Sequence, residues 1–108
     1  GALAISSKQK NLVHVVLNNG AHDSVGGQPT EALNLRLHKI AKNFNYDHVF
    51  LAKNEQEIET FIKFAFLNRG SVFIEIICKT GSRSDLARPV KKPTENKDDF
   101  INFIKDVK

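Results

Sequence analysis

Two kinds of apolar patterning alternate along the chain, and the elements they predict set its architecture. Residues 12–17, Leu-Val-His-Val-Val-Leu, form a short run rich in β-branched side chains that stops at Asn18, Asn19 and Gly20, which predicts a buried strand delivering a loop. In residues 31–44, Leu33, Leu37, Ile40, Ala41 and Phe44 recur at helical spacing with Arg36, Lys39 and Lys42 on other faces, predicting one amphipathic helix on whose polar side His38 is solvated. A turn containing Asn43, Asn45, Tyr46 and Asp47 leads into a second strand over residues 48–52. Asn54 followed by Glu57 resembles a capping box, opening a helix with Ile58, Phe61, Ile62, Ala65 and Phe66 on one face and Gly70 as its stop. Residues 71–78 are apolar almost throughout except for Glu75, which predicts a strand covered on both faces. Periodicity then lapses over residues 79–96, a long loop, before Phe100, Phe103, Ile104 and Val107 mark a closing helix with Asp98 and Asp99 near its positive end.

Strand, helix, strand, helix, strand implies an α/β fold, a parallel sheet with helices on both faces. Ligands of such sheets sit outside the carboxyl ends of the strands, so chemistry is expected at Asn18, Asn19, Gly20 and His22. Asn-Gly is also a strong hairpin signal. The following residues, Ala21, His22, Asp23 and Ser24, lack alternation, and Gly26, Gly27 and Pro29 would weaken a ladder, so a hairpin is not expected. Residues 2–7 read as the last turns of a helix that begins elsewhere, with neither an initiator methionine nor an N-cap residue ahead of its apolar positions. The 108 residues are therefore expected to be the carboxyl-terminal portion of a longer domain, whose missing part supplies at least one more strand.

A chain of 108 residues, 41% apolar and 26% charged, has room for one core and the composition of an ordinary globular domain. Its net charge of +4 is modest but local: Lys79, Arg83, Arg88, Lys91 and Lys92 share one stretch with a single acid, Asp85. That patch suits a small anionic ligand or cofactor at least as well as a polynucleotide. The lone Cys78 excludes an internal disulfide, reads as an inert packed thiol and fits a cytoplasmic location. No stretch is apolar enough to cross a bilayer as a helix.

Asn18, Asn19 and Gly20 offer amide oxygens and bare backbone at a strand end, where magnesium and a phosphate-bearing cofactor could meet. His22, Asp23 and Ser24 are too close in sequence to face one another as a triad, and the Gly26-Gly27 pair lacks the Lys-Ser/Thr of a phosphate-binding loop. Arg83 and Arg88 are either anion ligands or solvated loop charges. His14, inside the first strand, reads as a satisfied core histidine.

Residues 17–30, Leu-Asn-Asn-Gly-Ala-His-Asp-Ser-Val-Gly-Gly-Gln-Pro-Thr, together with residues 81–89, Gly-Ser-Arg-Ser-Asp-Leu-Ala-Arg-Pro, and residues 93–96, Pro-Thr-Glu-Asn, resemble the cofactor-binding domain of the phosphonopyruvate decarboxylases. These are thiamine-diphosphate-dependent 2-oxo acid decarboxylases, akin to the sulfopyruvate decarboxylases. The resemblance implies a thiamine-diphosphate-binding fold and a motif that starts in Gly-Asp-Gly and ends in Asn-Asn, of which only the second half is here. It implies that Asn18, Asn19, Gly20 and Ala21 bind the cofactor, with the Asn19 side chain and the Ala21 carbonyl as ligands of Mg2+. It implies a small 2-oxo acid substrate met by His22, a candidate for proton transfer or for the substrate's anionic tail, and by Gln28, Arg83 and Arg88. The glutamate that activates the cofactor comes, in such enzymes, from a pyrimidine-binding domain on another segment, usually of a neighbouring subunit in a homo-oligomer.

Overall fold

The apolar run around Glu75 becomes the middle of the molecule. The computed structural model describes residues 1–87 and 89–107, with the side chains of Ala2 and Ile5 outside the description. After a short helix α1 (Ala2–Ser6) come strands β1 (Val13–Asn18), β4 (His48–Ala52) and β5 (Val72–Ile77), with the two-residue strands β2 (Ala21–His22) and β3 (Gln28–Pro29) between the first two. They form one sheet in the order β1-β5-β4, parallel throughout, with Val72 opposite both Val13 and His48. β5 is central because it is the strand with no polar face to offer solvent: its residues from Val72 to Ile76 are at most 8% exposed.

The pleat sends alternate residues of β5 to opposite layers. Val72, Ile74 and Ile76 join Ala52 and pack under helix α4 (Glu55–Leu67) through Ala65, Ile58, Phe61 and Ile62. Phe73 faces the other way, with Tyr46 and Ala41, beneath helix α3 (Leu37–Asn43) and Leu3 of α1. Full burial of a Phe73 or Ile74 side chain contributes about 1.5–3 kcal/mol each, so β5 carries much of the core. His14 is held on this second face, its Nδ1 2.9 Å from the Tyr46 hydroxyl and its ring against Phe73. Cys78 packs against the first cluster.

Several sequence expectations change. Among the described residues β1 is an edge strand, paired with β5 alone, and its Val15 and Leu17 are exposed, 40% and 69%. The single helix expected over residues 31–44 is two, α2 (Ala32–Leu35) and α3, broken where Arg36 adopts a left-handed conformation at φ 50°. The loop after β1 does contain a ladder, of two residues on each side: β2 (Ala21–His22) pairs antiparallel with β3 (Gln28–Pro29) across a 3-10 turn at Asp23–Val25. The loop pairs with itself, not with β1, and Pro29 is accommodated at the end of its short strand. Asn54 caps α4 by accepting from the Glu57 N–H at 2.9 Å, but the Glu57 carboxylate reaches one residue further back, to the Lys53 N–H. The closing helix, α5 (Pro93–Asp106), starts four residues inside the expected loop, with Pro93 in its first turn and Glu95 accepting from the Lys92 N–H. Glu95, not Asp98 or Asp99, therefore meets its positive end, and its apolar stripe at Phe100, Phe103, Ile104 and Val107 is exposed.

At the amino ends of the strands one carboxylate gathers three segments. Asp47 accepts from the Ser71 N–H at 2.8 Å, from the Ser71 hydroxyl at 3.0 Å and from the Lys10 ammonium at 3.0 Å. The Ser71 main-chain N–H foremost, then Lys10, lowers the Asp47 pKa to about 2. Gly70 does not end α4, which stops at Leu67 when the main-chain and side-chain amides of Asn68 both donate to the Phe64 carbonyl. Gly70 sits instead at φ +125°, its N–H donated to the Lys10 carbonyl, and a Cβ there would lie 2.9 Å from the Asp47 carboxylate. Gly70→Ala is expected to cost about 1–3 kcal/mol of stability, measured by urea unfolding, through backbone strain at that φ.

Candidate functional site

The carboxyl end of the sheet is built on Glu75, which is 1% exposed and is the one acid in β5. Asn18, the last residue of β1 and 3% exposed, donates through Nδ2 to Glu75 Oε1 at 2.7 Å and to the Ala32 carbonyl at 3.1 Å. On the other oxygen, Glu75 Oε2 accepts from the His38 main-chain N–H at 2.9 Å and from His38 Nδ1 at 2.6 Å. The break at Arg36 makes this possible: it starts α3 anew at Leu37, and the first N–H groups of a helix lack intrahelical partners and attract a carboxylate. His38 is thus tied to Glu75 with its side chain 19% exposed, and the reading of it as a solvated residue is corrected. Burial pushes the Glu75 carboxyl up, but the hydrogen bonds from Asn18 and from the main chain and ring of His38 together outweigh it, and its pKa lies below the usual value.

From Asn18 the chain turns on its own side chains. Asn18 Oδ1 accepts from the Gly20 N–H and Asn19 Oδ1 from the Ala21 N–H, both at 3.1 Å, two overlapping turns of the kind asparagine favours. Gly20 takes φ +67°, and a Cβ on it would lie 2.5 Å from the Leu33 side chain, so glycine allows both the turn and the close approach of α2. The Thr30 N–H donates to the Gly20 carbonyl and the Gly27 N–H to the His22 carbonyl, closing the loop. Asn19 Nδ2 donates to Asp23 Oδ2 at 2.8 Å, and the same oxygen accepts from the Gly81 N–H at 2.8 Å. Asp23 thereby fastens the first long motif to the second.

Asn18, Asn19, Gly20 and Ala21 are therefore brought together in one turn, with the Asn18 amide directed inward and the Asn19 amide held between Ala21 and Asp23. His22 and Gln28 are exposed partners on one rung of the β2–β3 ladder. Among the described residues no hydrogen bond joins Arg83 to this group; it makes a two-point pair with Asp85 at 2.9 and 2.7 Å, which raises the Arg83 pKa. Arg88 lies outside the described residues. Among the described residues no three His, Cys, Asp or Glu side chains cluster as a metal site. Sequence reasoning missed Glu75 and Asp23 as organisers. The signal for the first was a lone carboxylate in an otherwise apolar strand.

Two outcomes follow from these contacts. Because the Asn18 amide must keep its NH2 toward Ala32 and the His38 N–H must donate, a glutamine at position 75 cannot satisfy all its partners. Glu75→Gln should lose about 1–3 kcal/mol in urea unfolding at neutral pH. The depressed Glu75 pKa contributes stability above its unfolded value near 4.5, lost as pH falls through the lower folded value, and this part of the acid sensitivity should vanish in the variant. In Asp23→Ala, hydrogen exchange of the Gly81 amide should rise at least about tenfold while the amides of β5 keep their protection.

No family model matches the chain. It is similar to a phosphonopyruvate decarboxylase of Streptomyces viridochromogenes, 32% identical over 94 residues that make up 87% of this chain and 24% of that protein. A phosphonopyruvate decarboxylase of Streptomyces hygroscopicus is 33% identical over 93 residues, 86% of this chain and 23% of that protein. The chain spans about a quarter of the length of these curated relatives. Over that quarter it is related to the phosphonopyruvate decarboxylases, as the two long motifs implied.

Proposed function

We propose that this chain is the carboxyl-terminal portion of the cofactor-binding domain of a cytoplasmic, homo-oligomeric decarboxylase. In this reading the enzyme uses thiamine diphosphate and magnesium to convert 3-phosphonopyruvate and a proton to phosphonoacetaldehyde and carbon dioxide. The observation that carries the reading is the Asn18–Ala21 turn. Asn19 Oδ1 touches the Ala21 main chain, and Asn19 Nδ2 is held by Asp23, so the amide's orientation is set and its oxygen lies beside the backbone of Ala21. A side-chain oxygen and a main-chain carbonyl are hard ligands of the kind magnesium accepts, and the donor set fits. Gly20, with no side chain, lets Leu33 pack against the turn and so helps to hold it in place.

Bound there, thiamine diphosphate would supply the carbon nucleophile and the electron sink for loss of carbon dioxide. The chain's own part is to bind, orient and handle protons. Asn18 and Glu75 fix the start of the turn, and Asp23 fixes its far side against Gly81. His22, exposed beside Gln28, is the group to hold or move a proton at its imidazole nitrogen, or to meet the substrate's anionic tail. Arg83 would exchange its two-point partner Asp85 for the substrate's phosphonate, which offers the same paired oxygens. In this reading the rest of the protein supplies the remaining magnesium ligand and the activating glutamate, and the isolated chain does not turn over.

A chimera tests the proposal: this chain replaces the matching quarter of the Streptomyces viridochromogenes relative. Carbon dioxide release from 3-phosphonopyruvate should require thiamine diphosphate and magnesium, and Asn19→Ala should lower it at least about a hundredfold, with retained far-ultraviolet circular dichroism showing that the variant folds. Release from sulfopyruvate alone would reassign the substrate. A folded, cofactor-binding chimera whose activity ignores Asn19→Ala would overturn the ligand assignment, and turnover by the 108-residue chain alone would overturn the claim that it is an inactive portion.

A further inference from the structure

A cleft of about 560 Å³ opens between α3 and the carboxyl ends of β4 and β5, lined in part by Leu33, Leu51 and Ile77. That volume falls in the range of small-molecule sites, and none of residues 19–30 lines it, so it is separate from the turn assigned above. Three cations from three different segments border it: Arg36 at the helix break, Lys39 on α3 and Lys53 just after β4. None of the three forms an ion pair among the described residues, whereas Lys10, Lys63, Arg83, Lys91 and Lys97 all do.

Glu75 and His38 complete the wall, and their contacts decide its sign. The Glu75 charge is spent on three N–H donors, from the Asn18 amide, the His38 main chain and the His38 ring. A carboxylate accepts, so His38 Nδ1 carries the proton, and Nε2 has no partner among the described residues. Glu57, four residues after Lys53, has its carboxylate on the Lys53 main-chain N–H, and neither it nor Glu55 forms an ion pair with Lys53 among the described residues.

We infer that this cleft binds a small organic phosphate or phosphonate, its anionic head met by Arg36, Lys39 and Lys53 and its short carbon body laid on Leu33, Leu51 and Ile77. Three cations exceed what a single carboxylate needs and match a doubly charged head. The site does not depend on the proposed reaction, and it meets the proposed cofactor turn through Glu75, whose other oxygen holds Asn18, and through Leu33, which packs against Gly20.

The test is a 15N NMR titration of the 108-residue chain with propylphosphonate and, separately, with inorganic phosphate, at constant ionic strength set with chloride. Saturable shifts should centre on Arg36, His38, Lys39 and Lys53, with propylphosphonate the tighter ligand because of the apolar wall. The surface double variant Lys39→Ala/Lys53→Ala should bind at least about tenfold more weakly. Asn19→Ala should bind as the parent chain does. Shifts that fail to saturate, or that persist unchanged in a folded double variant, would overturn the site, and saturation centred on residues 19–30 would move the anion to the cofactor turn.

Discussion

A buried carboxylate has to be surrounded by donors or give up its charge, and that requirement at Glu75 organises the carboxyl end of this protein. β5 is the central strand, its side chains from Val72 to Ile76 are at most 8% exposed, and the face it presents at Glu75 is covered by the segment that follows the Asn18–Ala21 turn. Donors come from both sides of that segment. Asn18 supplies an amide from the end of β1, and the helix is interrupted at Arg36 so that the free N–H of His38 can supply another. The left-handed residue costs on the order of a kilocalorie per mole, which a charged cap in a dry setting offsets.

The two ends of the sheet use the same device for different purposes. At the amino ends Asp47 collects Lys10 and Ser71, closing the core where the chain enters its strands. At the carboxyl ends Glu75 holds the base of a loop and Asp23 holds its tip to a second loop, leaving the Asn19–Ala21 backbone half-buried and the His22–Gln28 rung exposed. Rigid below and open above is the arrangement a ligand-binding turn on a parallel sheet requires.

The strands were legible because their signal is compositional: β-branched runs bounded by amides and glycines put β1, β4 and β5 within one residue of their observed limits. The break at Arg36 was not, since Leu33, Leu37 and Ala41 keep helical spacing across it and the cause, Glu75, lies 37 residues beyond His38 in β5. His38 was misread for the same reason, because a periodicity plot places it toward solvent and is blind to a carboxylate arriving from another strand. The β2–β3 ladder escaped because Gly26, Gly27 and Pro29 argue against long strands, not against two-residue ones. The start of α5 carries a signal in Pro93 followed by Glu95, but the apolar period that predicts the helix begins only at Phe100. Of the site, the Asn-Asn-Gly turn was legible as a motif, whereas the Asp23 link to Gly81 joins residues far apart in sequence and needed the fold.

The most direct measurement is a 13C NMR titration of the Glu75 carboxyl, read together with the Asn18 side-chain amide and the His38 main-chain N–H. A midpoint below 4.5 shared by all three signals is the expected result, because one ionised carboxylate holds both donors. A midpoint at or above 4.5, or Asn18 and His38 signals that do not follow it, would contradict the account at its centre.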